Sequence, residues 1–263
     1  MAFTNSSMIT YAKLSPNHSG QRKYPITRIT PHCVVGQLSV EALGDIFYSK
    51  SRNASCNYGI GADGRIGLYC EEKNRSWCSS NADNDNRAIT IECASDTKHP
   101  YAFNDKVYNR LIDLCVDICK RNGKTKIIWL GDRNKTLAYK PLNNEIVLTV
   151  HRWFANKECP GDWLMSKMDD LANKVNIRLG NKPMNNAEIK EVKEQVNRFP
   201  YKVKIITNDL NVREKPDPNS KITAVVRNGE VYTIVQEEIF KNSKWGKLKS
   251  GKGYINLKYT KEF

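Results

Sequence analysis

The chain of 263 residues carries 42 Lys+Arg against 28 Asp+Glu, a formal charge of +14, and 40% of its residues are hydrophobic. That share is enough for a buried core, while no apolar run approaches the ~18 residues a membrane-crossing helix needs. The positive surplus favours an anionic partner by long-range attraction: nucleic acid, a membrane surface or an anionic wall polymer.

The opening "MAFTNSSMITYAKLSPNHSG" has no basic stretch followed by an apolar one. No secretory signal is expected there, and the chain is expected to stay in the cytosol until something else releases it. "RKYPITRITPHCVVGQ" reads as a strand broken at Gly36, and "SVEALGDIFYS" as a helix capped by Ser39. "NYGIGADGRIGLYCEE" has the form of a hairpin turning at Ala62-Asp63-Gly64. "NRAITIECA" contains an apolar strand over residues 88–93, suited to the centre of a sheet. A helix is expected over residues 108–120, then a strand at "KIIWLG", a long loop through Asn143-Asn144, and a last helix over residues 162–179. Strands alternating with helices predict an α/β domain with a mixed central sheet flanked by helices. Residues 180–200 turn polar and read as a connector with a short helix capped by Asn186. Residues 201–263 are short strands punctuated by Gly and Pro, the pattern of a small all-β barrel.

All eight cysteines lie between Cys33 and Cys159, none in a C-x-x-C pair, and the last 104 residues have none. Cys115 and Cys119 share an apolar helical stripe and read as small hydrophobes. His32 ends a predicted strand, and His151 and Cys159 flank a loop before the last helix. Together they have the composition of a catalytic zinc site, three ligands with a fourth position open. Spacing alone leaves His32 readable as a core histidine and Cys159 as a buried thiol. His18 and His99 read as exposed turn residues. Cys33, beside His32 on a strand, points to the opposite face and cannot be activated by it.

Four motifs, "ITRITPHCVVG", "NYGIGADGRIG", "NRAITIE" and "TVHRWFANKECPGDW", occur together in this order. Over roughly residues 8–179 the chain thereby resembles the type 2 N-acetylmuramoyl-L-alanine amidases, zinc enzymes of the peptidoglycan-recognition-protein fold common in phage endolysins. "LNVR", "WGKL" and "GYINLKY" make the tail similar to a bacterial SH3 domain. The pairing looks most like clostridial phage endolysins.

The resemblance implies that His32, His151 and Cys159 hold one Zn2+. It implies that Glu92 activates water and that Lys157 stabilises the tetrahedral intermediate, as the amide joining N-acetylmuramic acid to L-alanine is cleaved. A structural ion pair and a solvated loop lysine are the plain readings of those last two residues. The domains it implies are a zinc amidase at 1–179, a linker at 180–200 and a wall-binding domain at 201–263. That last stretch holds thirteen Lys+Arg against seven Asp+Glu. Many relatives have Tyr-His where this chain has Cys56-Asn57, so no catalytic tyrosine is assigned. Pro31 cannot donate a ladder hydrogen bond, which predicts a bulge or an edge beside His32. Trp77 and the loop over residues 79–87 are candidates to line a glycopeptide groove.

The partner implied is bacterial peptidoglycan, with anionic wall polymers, rather than nucleic acid or membrane. A nucleic-acid binder would carry aromatics interleaved with a basic face or a recognition motif, and neither is present. A bacterial autolysin of the same activity and a non-catalytic peptidoglycan receptor of the same fold are the rival readings. The receptor would be marked by loss of the metal-binding cysteine, which is present here. The sequence leaves oligomeric state open.

Overall fold

A computed structural model describes residues 3–182 and 199–263. The chain divides into two compact units, Met1–Asn185 and Asn186–Phe263. The short helix expected after Asn186 lies outside the described residues.

The first unit is built on a mixed sheet. Its strands are β1 (Ile9–Ala12), β3 (Arg28–Cys33), β4 (Tyr58–Ile60), β5 (Ile66–Leu68), β7 (Ala88–Cys93), β8 (Lys126–Ile128) and β9 (Glu145–Leu148), in the order β1-β5-β4-β7-β3-β9-β8. β2 (His18–Gln21) and β6 (Asn74–Ser76) form a separate ribbon, so His18 lies in a strand rather than the expected turn. Only the β4–β5 hairpin is antiparallel within the larger sheet. The parallel strands β3, β7 and β9 are almost wholly buried, as covering both faces of a sheet requires.

The helices are α1 (Val40–Tyr48), α2 (Ala82–Arg87), α3 (Asp105–Arg121), α4 (Arg133–Ala138) and α5 (Gly161–Arg178). Ser39 caps α1 by accepting from the Ala42 amide, and Asn104 caps α3 through the Val107 amide. α3 and α5 bury Leu111, Cys115, Ile118, Met168 and Leu171 against Ile29, Ile89 and Ile91 of the sheet. Leu43 and Phe47 of α1 form a smaller cluster with Cys56 and Tyr69. Two expected loops contain structure. α4 and β9 occupy the stretch around Asn143-Asn144, and α2, capped by Asn81, fills most of residues 79–87. All three elements are short, and the polar residues of α2 and α4 mask their periodicity.

Pro31 causes no bulge. β3 is a central strand, and its register with β7 is regular from Arg28↔Ala88 to Cys33↔Cys93. The Val34 amide donates to Cys93 O, so even-numbered amides of β3 face β7 and odd-numbered ones face β9. The Thr149 amide still donates to Ile29 O, and the ladder with β9 runs out there, at Pro31, whose missing donor would have made its next rung.

The second unit is all-β. Its strands are β10 (Tyr201–Ile205), β11 (Asp209–Arg213), β12 (Ile222–Arg227), β13 (Val231–Phe240), β14 (Ser243–Leu248), β15 (Tyr254–Asn256) and β16 (Thr260–Glu262), in the order β12-β11-β15-β14-β13-β10-β16. Tyr201, Val203 and Ile205 face a core with Val212, Ile234 and Ile255, while Lys202 and Lys204 alternate outward.

Candidate metal centre

His32 and Glu92 are directly paired across the parallel β3–β7 ladder. Paired residues of neighbouring strands project to one face, so the register alone sets an imidazole beside a carboxylate. Their neighbours Cys33 and Cys93 pair on the opposite face, and both join the core with α3 and α5. His32 is fully buried.

His151 opens a short 3-10 turn, seven residues separate it from Cys159, and the loop folds back on itself. The Arg152 amide donates to Cys159 O at 3.0 Å, and the Gly161 amide to Glu158 O at 2.9 Å. The Arg152 guanidinium donates to Glu158 O and to Asp162 at 2.9 Å, while Tyr101 OH donates to Glu158 at 2.7 Å. Gly161 sits at φ +84°, and a Cβ there would stand 2.8 Å from Pro100 O. Gly161→Ala is therefore expected to destabilise the loop by at least about 1 kcal/mol, from the left-handed backbone alone. Denaturant unfolding checks this, and an unchanged midpoint would show that the loop tolerates a side chain.

These elements converge. Ligand atoms of His32, His151 and Cys159 all lie within 4.8 Å of one another. Cys159 Sγ is 3.2 Å from His32 Nδ1, and the two imidazole centroids are 5.0 Å apart. Glu92 Oε1 is 3.9 Å from His32 Nδ1. Its other oxygen, Oε2, is buried with no hydrogen-bond partner among the described residues.

Burial, then the neighbouring His151, holds His32 well below the usual imidazole range. Burial, then Lys157, holds His151 down at about 4. Both rings are thus neutral at neutral pH and can offer lone pairs to a cation. Burial pushes Glu92 up to about 7 against the opposing influence of Cys78 and Arg52, and it drives the Cys159 thiol up as well. Two neutral imidazoles, a thiol and an orphaned carboxylate oxygen are a donor set that fits zinc, whose charge would favour ionisation of the acidic members.

The centre opens into a groove of about 560 Å³ whose lining includes Arg52, Arg75, Trp77, Glu92, His151 and Lys157. All five residues singled out from the sequence therefore meet here: three within ligand distance, Glu92 paired with His32, and Lys157 on the wall with an exposed side chain. Trp77 and part of the 79–87 segment also line the groove. His18 and His99 lie elsewhere, His18 accepting from the Gly20 amide and His99 facing Asp162 at 2.8 Å. Cys56 is fully buried beside Leu43, Phe47 and Tyr69. Asn57 is structural: its Oδ1 accepts from the Thr90 amide and from Arg22, and its Nδ2 donates to Cys70 O.

Sequence reasoning missed Cys78. Its Sγ lies 3.4 Å from His32 Nε2 and 3.8 Å from Glu92 Oε1. No spacing rule joins residue 78 to residues 32 and 92; only the fold does. Arg52 and Arg75 were missed for the same reason.

A protein-family model described as N-acetylmuramoyl-L-alanine amidase matches residues 22–162, just over half of the 263-residue chain. Among solved structures, the chain is similar to a mutant endolysin from Bacillus subtilis, at 17% identity and TM-score 0.45, covering 65% of this chain and 99% of that one. It is also similar to the Staphylococcus aureus hydrolase AmiA in complex with its ligand, at 17% identity and TM-score 0.46, covering 69% and 96%. The endolysine N-acetylmuramoyl-L-alanine amidase LysCS from Clostridium intestinale matches at 16% identity and TM-score 0.40, covering 62% and 99%. No curated protein sequence matches the chain. The family match takes in β3, β7 and the loop that carries His151 and Cys159, and on it the chain belongs to the N-acetylmuramoyl-L-alanine amidase family.

Proposed function

We propose that the protein is a zinc-dependent, endolysin-type amidase that hydrolyses the bond between N-acetylmuramic acid and L-alanine in peptidoglycan. The convergence of His32, His151 and Cys159 beside Glu92, within the family-matched segment, carries this reading. His32, His151 and Cys159 would hold the zinc ion, which when bound would supply Lewis acidity and lower the pKa of a water from 15.7 to about 7. Glu92, with one oxygen unpartnered, takes the water's proton and returns it to the leaving alanine amine. Lys157 faces the groove and donates to the oxygen on which negative charge develops. Trp77 offers an aromatic face, and Asn81 an uncharged amide, to sugar and peptide.

The all-β second unit, with thirteen Lys+Arg against seven Asp+Glu over residues 201–263, is read as an SH3-like module that holds the wall's anionic polymers. Tethering raises the effective concentration of the catalytic unit on an insoluble substrate without new catalytic contacts. The protein is read as residing in the host bacterial cytoplasm until lysis begins. The test is turbidity loss of purified cell walls together with assay of new N-terminal alanine, with and without a chelator. Chelator-sensitive release of alanine amines is expected; glycan reducing ends in their place would move the cut to the sugar chain.

A further inference from the structure

The proposed reaction gives Cys78 no task, yet the fold places its thiol with care. Cys78 lies between β6 and α2, where the Asp85 carboxylate accepts from the Cys78 amide at 3.2 Å, the Ser79 amide at 3.1 Å and Ser79 Oγ at 2.6 Å. The buried Arg22 guanidinium anchors that segment in turn, donating to Asp85 O at 2.7 Å and to Glu72 O at 2.5 Å. Held so, Cys78 Sγ sits 3.4 Å from His32 Nε2, whereas Cys159 Sγ sits 3.2 Å from the other ring nitrogen, Nδ1.

One buried imidazole therefore stands between two thiols, one at each nitrogen. The two nitrogens cannot serve one ion, because their lone pairs diverge in the ring plane. With Nδ1 offered on the Cys159 side, a neutral ring carries its proton on Nε2, and a buried N–H without an acceptor is costly. We propose that Cys78 is a positioning residue of the metal centre: its sulfur accepts the His32 Nε2–H and its own S–H is donated to Glu92 Oε1. One thiol thereby fixes the tautomer of a metal ligand and holds the proton-accepting carboxylate in register with it. Removing such a partner of a ligating histidine typically weakens metal binding 10- to 100-fold. The inference rests on the zinc-amidase reading, and its test does not depend on turnover.

Zinc affinity of the full chain is measured by chelator competition for wild type, Cys78→Ala and Cys78→Ser, and the His32 ring nitrogens are followed by nitrogen NMR in the same proteins stripped of metal. Cys78→Ala is expected to lose about 10- to 100-fold in affinity and the single Nε2–H tautomer. Cys78→Ser, whose hydroxyl also accepts and donates, is expected to keep both. Affinity unchanged in Cys78→Ala, or equally weak binding by both variants, overturns the proposal, since the first removes the need for the acceptor and the second reduces Cys78 to its volume. Loss of thiolate-to-cobalt charge-transfer intensity in cobalt-loaded Cys78→Ser also overturns it, because Cys78 would then be a ligand. Wild type that takes up no zinc would overturn the amidase reading itself.

Discussion

Glu92→Gln is expected to keep the bound ion and to lower alanine release by about 10²- to 10⁴-fold, the usual worth of a placed general base. Glutamine preserves the volume and one acceptor oxygen beside His32 but cannot take a proton. The proposed three-ligand set of His32, His151 and Cys159 is untouched by the change. Elemental analysis for zinc and the N-terminal alanine assay read the two consequences separately. Near-normal release with a full complement of zinc would remove Glu92 from the mechanism. The same substitution has a thermodynamic signature in protein stripped of metal. Glu92 is raised from 4.5 to about 7 in the fold, so its neutral form favours folding. That contribution is fully present below about 4.5 and is lost as pH rises through about 7. His32 and His151, both lowered, change stability in the opposite sense, rising with pH. The Glu92 contribution is therefore the difference between wild type and Glu92→Gln, and thermal unfolding across that interval should show a flatter loss in the variant.

Cys159→Ala is expected to abolish both zinc retention and alanine release, and chelation of the wild type should do the same reversibly. The thiolate is the anionic member of the ligand set; without it the ion would rest on two neutral imidazoles, His32 and His151. The buried thiol lies well above its ordinary pKa in the metal-free fold, so uptake of zinc should release a proton. Titrating zinc into stripped protein in a weakly buffered solution, with activity followed in parallel, checks both points. Full activity in exhaustively stripped protein would end the metal-dependent mechanism.

The architecture of the first unit was readable because its strands and helices are long or strongly apolar. The strand over residues 88–93 and the hairpin at Ala62-Asp63-Gly64 lie where the alternation and the turn chemistry put them. α4 and β9 were not readable, since six polar-rich residues and a strand of one glutamate and three apolar residues are too few to show a period. Pro31 was misread because the rule against proline within a sheet concerns each amide's ladder partner. Only the assembled sheet shows that Pro31 stands where the β3–β9 ladder ends, while the β3–β7 ladder does not use that amide.

The sequence by itself determined the residue types of the candidate metal centre, the loop that ties His151 to Cys159, and the contrast between a cysteine-bearing α/β unit and a basic all-β tail. Tertiary structure alone decided that residues 32, 92 and 151 meet, because their proximity follows from strand order and parallel register. It also decided the place of Cys78. Asp85, itself held by Arg22, fixes the backbone of that segment, and such a network has no linear signature.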